Sequence, residues 1–134
     1  MGQQQLLLIV LGVIIVGIAV VVGINLFNAN AEESAKDTVV SEGLNLGALA
    51  QQFYKKPVAL GGGGNSFNTS NGAAVAFDVP TRLDTSAVGG LWTAAPTPTQ
   101  CVITFTPFSD TWEYEFGGAT ITVSPTTIES VIIQ

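Results

Sequence analysis

The 134-residue chain contains an apolar run near its start that limits what it can fold into. Residues 6–24 are 19 consecutive positions without a charged or amide side chain. As an α-helix rising 1.5 Å per residue, the run would be roughly 28 Å long, close to the thickness of a bilayer's hydrocarbon core. The run can therefore span a membrane, and its apolar area makes a soluble monomer implausible.

The flanks of the run argue against a cleaved secretory signal. Such a signal carries basic residues before a shorter apolar stretch and small residues at a cleavage site after it, and none of these features is clear here. No basic residue precedes the run, and Lys36 is the first to follow it. We therefore expect the run to stay with the working protein, while its orientation in a membrane cannot be assigned from charge.

A second helical pattern, amphipathic rather than wholly apolar, follows between residues 32 and 54. Apolar residues recur there at spacings that place them on one stripe of a helix. Lys55 and Lys56 suit the negative end of the helix dipole, and Pro57 ends the pattern. Since no proline precedes Pro57, both patterns can form one helix of about 80 Å. The predicted stripe consists of Ala35, Val39, Leu46, Leu49 and Phe53.

Two features could interrupt or specialise this helix. Residues 23–30, with the sequence GINLFNAN, contain poor helix formers, so a bend or local melting is expected there. Gly43 and Gly47 are four residues apart, a spacing that lets another backbone approach closely. That backbone could belong to the chain's own sheet or to another subunit, and the spacing does not decide between them.

The sequence after Pro57 predicts a polar loop followed by a small antiparallel sheet. The segment LGGGGNSFNTSNG is interpreted as a flexible connector, and it lacks the Lys-Ser/Thr that a phosphate-binding loop needs. Strands are predicted at AAVAFDV, CVITFTPF, WEYEF, ATITVS and the chain-ending VIIQ, with three to five strands in all. One face of the sheet should cover the helix stripe, and the threonine-rich face should meet solvent. The inward residues would be Cys101, Ile103, Phe105, Trp112, Tyr114, Phe116, Ala119, Ile121 and Val123.

The composition gives little support for catalysis or nucleic-acid binding. The chain has no histidine, which excludes Ser-His-Asp and Cys-His nucleophilic pairs, and its net charge of −6 disfavours nucleic acid. The acidic group Asp110, Glu113 and Glu115 could hold calcium, but its alternation with aromatic residues favours the solvent-facing side of a strand. Cys101 has no partner cysteine and is expected to be a small buried hydrophobe. No cofactor or metal site is therefore predicted, and we do not expect an enzyme.

This order of elements, with a helix that is apolar in its first half and amphipathic in its second, then a glycine-rich loop and a small sheet, resembles the type IV pilin family. The resemblance implies three regions: a membrane or filament-core helix half (residues 1–31), an amphipathic helix half (32–56) and a head domain (57–134). It implies that the apolar half holds the subunit in the inner membrane and then packs against copies of itself in the filament. The implied core residues are Leu6, Leu7, Leu8, Ile9, Val10, Leu11, Val13, Ile14, Ile15, Val16, Ile18, Val20, Val21, Val22 and Ile24.

The chain departs from the family pattern at three points. Only Met1 and Gly2 precede QQQLLL, whereas precursors of the family usually carry a short basic leader cut after a glycine. Gln5 occupies the fifth position, where the mature family members usually have a glutamate, and an amide can accept a hydrogen bond but cannot neutralise a charge. The family's C-terminal disulfide loop is absent because Cys101 is alone, so the sheet must be held by packing.

The sequence thus predicts an α+β protein whose leading functional interpretation is a major pilin. Its expected partners are itself in a helical homopolymer, the inner membrane before assembly and the pilus assembly machinery, and its expected location is a filament on the cell surface. A pseudopilin of a type II secretion system shares the helix and is the closest alternative. A membrane-anchored binding module that never polymerises is a third interpretation.

Overall fold

The computed structural model describes residues 2–108 and 117–132 and has the predicted α+β architecture, a long N-terminal helix and an antiparallel sheet. Helix α1 covers Gly2–Lys55 and is followed by two short 3₁₀ turns, Val58–Leu60 and Thr69–Asn71. The described residues form four strands, β1 (Gly90–Pro96), β2 (Cys101–Pro107), β3 (Ala119–Val123) and β4 (Ile128–Ile132). The fold class expected from the sequence is therefore confirmed.

The chain divides between Ser34 and Ala35 into two compact units, and α1 contributes to both. Within the first unit, the stretch 23–30 is helical throughout, so the local melting that its glycine and three asparagines suggested is not observed. Backbone hydrogen bonding along a helix is cooperative, and these four poor helix formers are accommodated inside a long helix. The second unit contains the rest of α1 and the whole described sheet.

The four strands follow one another in the order β1-β2-β3-β4, and each neighbouring pair is antiparallel. Proline-containing turns join two of the pairs. Thr97 donates its backbone N–H to Gln100 O across the β1–β2 turn, and Ser124 does the same to Thr127 O across the β3–β4 turn. Pro98 and Pro125 occupy the second position of these turns, where the fixed φ of proline is favoured.

One face of the sheet packs on α1 and forms the core of the second unit. Alternation along each strand sends every second side chain to this face, as the sequence pattern predicted for β2 and β3. Across the opposite face, Thr104 pairs with Thr93 on one side and with Thr120 on the other, and these threonines are exposed or half-buried. The buried sheet residues are Trp92, Cys101, Ile103, Phe105, Ala119, Ile121 and Val123.

Gly43 and Gly47 lie where the helix comes closest to the sheet. A Cβ at Gly43 would collide with the side chain of Ile121, and a Cβ at Gly47 would lie 3.0 Å from Ile128 Cγ2. Both glycines are buried. Of the two roles left open by their spacing, the structure shows the contact with the chain's own sheet.

One predicted strand is absent from the structure, one observed strand was not predicted, and one further prediction cannot be compared. The segment AAVAFDV, residues 73–79, is irregular although Ala73, Phe77 and Val79 are buried, because its alternation serves packing rather than strand pairing. Strand β1 was not predicted, since Trp92 is the one large residue among small inward neighbours such as Gly90 and Ala94. The predicted strand WEYEF, with Trp112, Glu113, Tyr114, Glu115 and Phe116, lies outside the described residues, as does Asp110.

The glycine-rich loop caps the end of α1, so its interpretation as a flexible connector is wrong. The backbone N–H groups of Gly63 and Asn65 donate to the carbonyl oxygens of Phe53 and Tyr54, each at 2.8 Å. These bonds satisfy carbonyls that have no partner within the last turn of a helix. Phe67 is fully buried and packs on Tyr54, with ring centroids 4.8 Å apart. The loop therefore belongs to the core.

Candidate functional site

The first half of α1 exposes the apolar side chains that the sequence assigned to a membrane or filament core. Their exposed fractions run from 50% at Leu11 to 70% at Leu7. Within this part of the helix no glycine has a non-local neighbour within 4 Å of its Cβ position. The exposed set is Leu6, Leu7, Leu8, Ile9, Val10, Leu11, Val13, Ile14, Ile15, Val16, Ile18, Val20, Val21, Val22 and Ile24.

The exposed apolar surface covers the whole circumference of the helix. Consecutive residues of an α-helix are separated by about 100°, so an uninterrupted run of apolar residues leaves no polar face. The helix is long enough and apolar enough to cross a membrane. A helix that is apolar all round needs an apolar environment on all sides, which a bilayer or a bundle of like helices supplies. This segment is therefore the candidate functional site.

The three residues expected to pack the second half of α1 on the sheet lie at different depths. Leu46 is 2% exposed and belongs to the core cluster. Leu49 and Phe53 are half-buried against the same cluster, and the Phe53 ring lies 5.7 Å from that of Phe77. Within the second unit, these side chains pack the second half of α1 on the sheet.

A groove of about 920 Å³ opens beside Leu49 and Phe53 on the second unit. Its apolar lining comes from three parts of the chain: the last turns of α1, the irregular segment 75–80 and the end of β1. Lys56 and Asp78 add one charge of each sign to its lining. Sequence patterning did not reveal this groove, because its walls come together from segments that are distant in sequence. The main apolar contributors are Leu49, Phe53, Val75, Phe77, Pro80 and Ala94.

The Glu42 carboxylate connects α1 to the start of the sheet. Its Oε2 accepts hydrogen bonds from the Ser86 hydroxyl (2.5 Å) and from Trp92 Nε1–H (3.3 Å), and its Oε1 accepts one from the backbone N–H of Ala87 (3.1 Å). Each contacting atom is a hydrogen-bond donor, so the carboxylate is arranged to position this segment. Sequence reasoning missed this role, because Glu42 looks like any polar residue on the wet side of an amphipathic helix.

The remaining candidates for chemistry offer no reactive arrangement within the described residues. Cys101 is fully buried, and this burial raises the pKa of its thiol to about 12, so it is not a poised nucleophile. No group of three or more potential metal ligands occurs in the part of the chain that the structure describes. The acidic group that could have bound calcium, Asp110, Glu113 and Glu115, lies outside that part.

Neither family models nor curated proteins nor solved structures match this chain. The exposed apolar helix half and the folded unit that follows it are therefore the features of the chain that bear on its function.

Proposed function

We propose that this protein is a structural subunit that polymerises into an extracellular filament of the type IV pilus kind. The observation that carries the proposal is the exposure of the apolar run on all sides of the helix. Such a run is compatible with a membrane before assembly and with a bundle of identical helices afterwards, because both surround it with apolar groups. One segment could thus serve the inner membrane and the filament core in turn.

The second unit supports the same proposal by being suited to the outside of a filament. It has its own core, and its sheet shows a threonine-rich face with hydroxyl groups that favour water. The lack of a histidine in the sequence, together with a buried cysteine, gives no support for an enzymatic role. In this proposal the pilus assembly machinery inserts each subunit from the inner membrane, and neighbouring copies are the permanent partners.

Electron microscopy of filaments sheared from cells that express the full chain tests the proposal. We expect long polymers with helical symmetry, in which the apolar helix halves of the subunits form the core. Cells expressing residues 32–134, exported by a separate signal, provide the matched control and should release a monomer, because the fragment retains the head but lacks the apolar surface. Detergent-solubilised monomers of the full chain without any filament would contradict the proposal and favour a membrane-anchored binding module.

The length of the polymers distinguishes a pilin from a pseudopilin. A pilin should yield filaments that extend far from the cell and can be sheared away, whereas a secretion pseudopilin builds a short piston within the periplasm. Polymers confined to the periplasm would therefore overturn the extracellular assignment while keeping the assembly role of the helix.

A further inference from the structure

Phe27 is an aromatic side chain whose position the apolar run does not explain. It is 78% exposed, the highest value among the exposed large hydrophobic residues of the described chain. It lies three residues beyond Ile24, about 4.5 Å farther along the helix axis. Leu26 precedes it and Asn28 follows it, and Asn25 separates both apolar residues from the uninterrupted run of residues 6–24.

The Phe27 ring projects from a helix face that has small residues along one row. Residues three and four apart share a helix face, so Gly23 and Ile24 lie one turn before Phe27, and Asn30 and Ala31 lie one turn after it. Gly23 and Ala31 are small, so the wall of a cleft meets little bulk along the row of residues spaced four apart. We call this exposed ring the aromatic knob.

The groove on the second unit has complementary chemistry. Its walls carry Leu49, Val75 and Pro80, together with the tilted ring pair of Phe53 and Phe77. Its volume of about 920 Å³ falls in the range of cavities that enclose small organic ligands, so it can hold an aromatic ring with its flanking residues. Aromatic rings favour further ring contacts in tilted arrangements such as this one.

We propose that Phe27 of one copy inserts into this groove on a neighbouring copy of the chain. The inference rests on the proposed function, because it requires the copies to assemble. The occupant is a second copy rather than an unrelated partner because the chain itself presents the exposed aromatic knob that the apolar groove would bury. The contact would link the helix of one subunit to the head of another and would fix how the heads are arranged around the core.

Disulfide cross-linking in filaments tests this contact. Chains carrying Phe27→Cys are co-assembled with chains carrying Val75→Cys under reducing conditions, and the filaments are then oxidised. Val75 is 64% exposed and lines the groove, whereas the native Cys101 is fully buried and stays silent. The matched control replaces the Val75 variant with Thr93→Cys, because Thr93 is exposed and is next to the groove residue Ala94 on β1 but on the opposite face.

We expect covalent dimers of the Phe27→Cys and Val75→Cys chains on non-reducing gels and none with the Thr93→Cys chain. Filaments that form without this cross-link would overturn the contact and leave the proposed function standing. Cross-links between two Phe27→Cys chains in place of the mixed dimer would also overturn it, because Phe27 would then lie among helices. A wild-type chain that forms no filaments would overturn the proposed function, and the contact with it.

A second pair of variants keeps the test valid if Phe27→Cys itself weakens assembly. Val75→Lys places a charge in the groove, where it should oppose docking of an aromatic ring, and Thr93→Lys adds the same charge on the other face. We expect Val75→Lys to lower filament yield by about tenfold or more, since a docked ring would take the introduced charge out of water, and that desolvation is costly even beside Asp78. Equal yields from the two variants would contradict the proposal.

Discussion

At the residue scale, Glu42 is the polar side chain whose hydrogen bonds connect α1 to the start of the sheet. It accepts hydrogen bonds from Ser86, Ala87 and Trp92 and so fixes the segment that leads into β1. We predict that Glu42→Gln lowers the free energy of unfolding by about 1 to 3 kcal/mol, because an amide nitrogen would face donors that then lose their acceptor. Urea denaturation of residues 32–134, followed by circular dichroism, measures the change.

The matched control for Glu42 is Asp37→Asn, which removes the same charge from an exposed position of the helix. It should change the free energy of unfolding by no more than about 0.5 kcal/mol. If the two variants were equally stable, the carboxylate would have no structural role and the segment would be held by Trp92 packing alone.

The buried thiol of Cys101 makes the stability of the folded chain depend on pH in the alkaline range. Burial raises the pKa of its thiol from 9.0 to about 12 in the folded chain. Above the lower value the unfolded chain releases a proton that the folded chain keeps, so stability falls as pH rises. We predict a loss of up to about 1.4 kcal/mol per pH unit from this thiol between about pH 9 and pH 12.

Comparison with Cys101→Ala isolates the contribution of the thiol from that of every other group. Denaturation across that range should give a shallower decline of stability for the alanine variant. Parallel declines of the two proteins would mean that the thiol titrates normally in the folded state, and hence that it is less buried than the structure shows.

At the scale of secondary-structure elements, the periodicity of the sequence predicted the strands with large alternating residues. It did not predict the elements that depend on tertiary contacts. Strands β2 and β3 were predicted because their large inward residues alternate with threonines over a whole strand. Strand β1 was missed because Gly90 and Ala94 occupy inward positions opposite bulky neighbours. The segment 73–79 has the alternation of a strand without being one, because burial of Ala73, Phe77 and Val79 also gives alternation.

The same limit applies to the helix and to the sites. The spacing of Gly43 and Gly47 indicated that another backbone approaches the helix closely. It did not identify that backbone, because the chain's own sheet and a neighbouring subunit would both require small residues at these positions. The apolar run was recognisable from sequence because its property is local. The Glu42 hydrogen bonds and the groove were not, because their partners are between about 20 and 50 residues away along the chain.

The packing of α1 on the sheet can be tested with two leucines of the same helix. Leu46 is 2% exposed and Leu44 is 42% exposed, although they are two residues apart. Leu46→Ala should lower the free energy of unfolding by about 2 to 5 kcal/mol, because it leaves a cavity between helix and sheet. Leu44→Ala should cost far less, as expected for a surface position. Thermal unfolding of residues 32–134 compares the two variants, and the opposite ranking would mean that the helix is rotated about its axis.

At the scale of the whole molecule, two units with opposite solvent requirements are joined by one helix. The first presents apolar side chains on every side, and the second encloses its own core. A polymer meets both requirements at once, because it gathers the apolar halves together and leaves the folded units in water. The same division predicts that damage to the apolar half will affect assembly and spare the head.

Val16→Asp tests this division in the full chain, because it puts a charge near the middle of the apolar run. A carboxylate at the centre of a membrane-spanning helix costs roughly 2.5 to 3.5 kcal/mol, and a filament repeats that cost in every subunit. We therefore expect no filaments by electron microscopy, while the head keeps the protease resistance of the wild-type chain. The matched control is Val131→Asp on β4, since Val131 is 56% exposed and Val16 is 62% exposed, yet Val131 lies outside the apolar half. Filaments from the Val131 variant but not from the Val16 variant would show that the apolar helix half drives assembly. Normal filaments from Val16→Asp would show that the apolar run does not form the filament core.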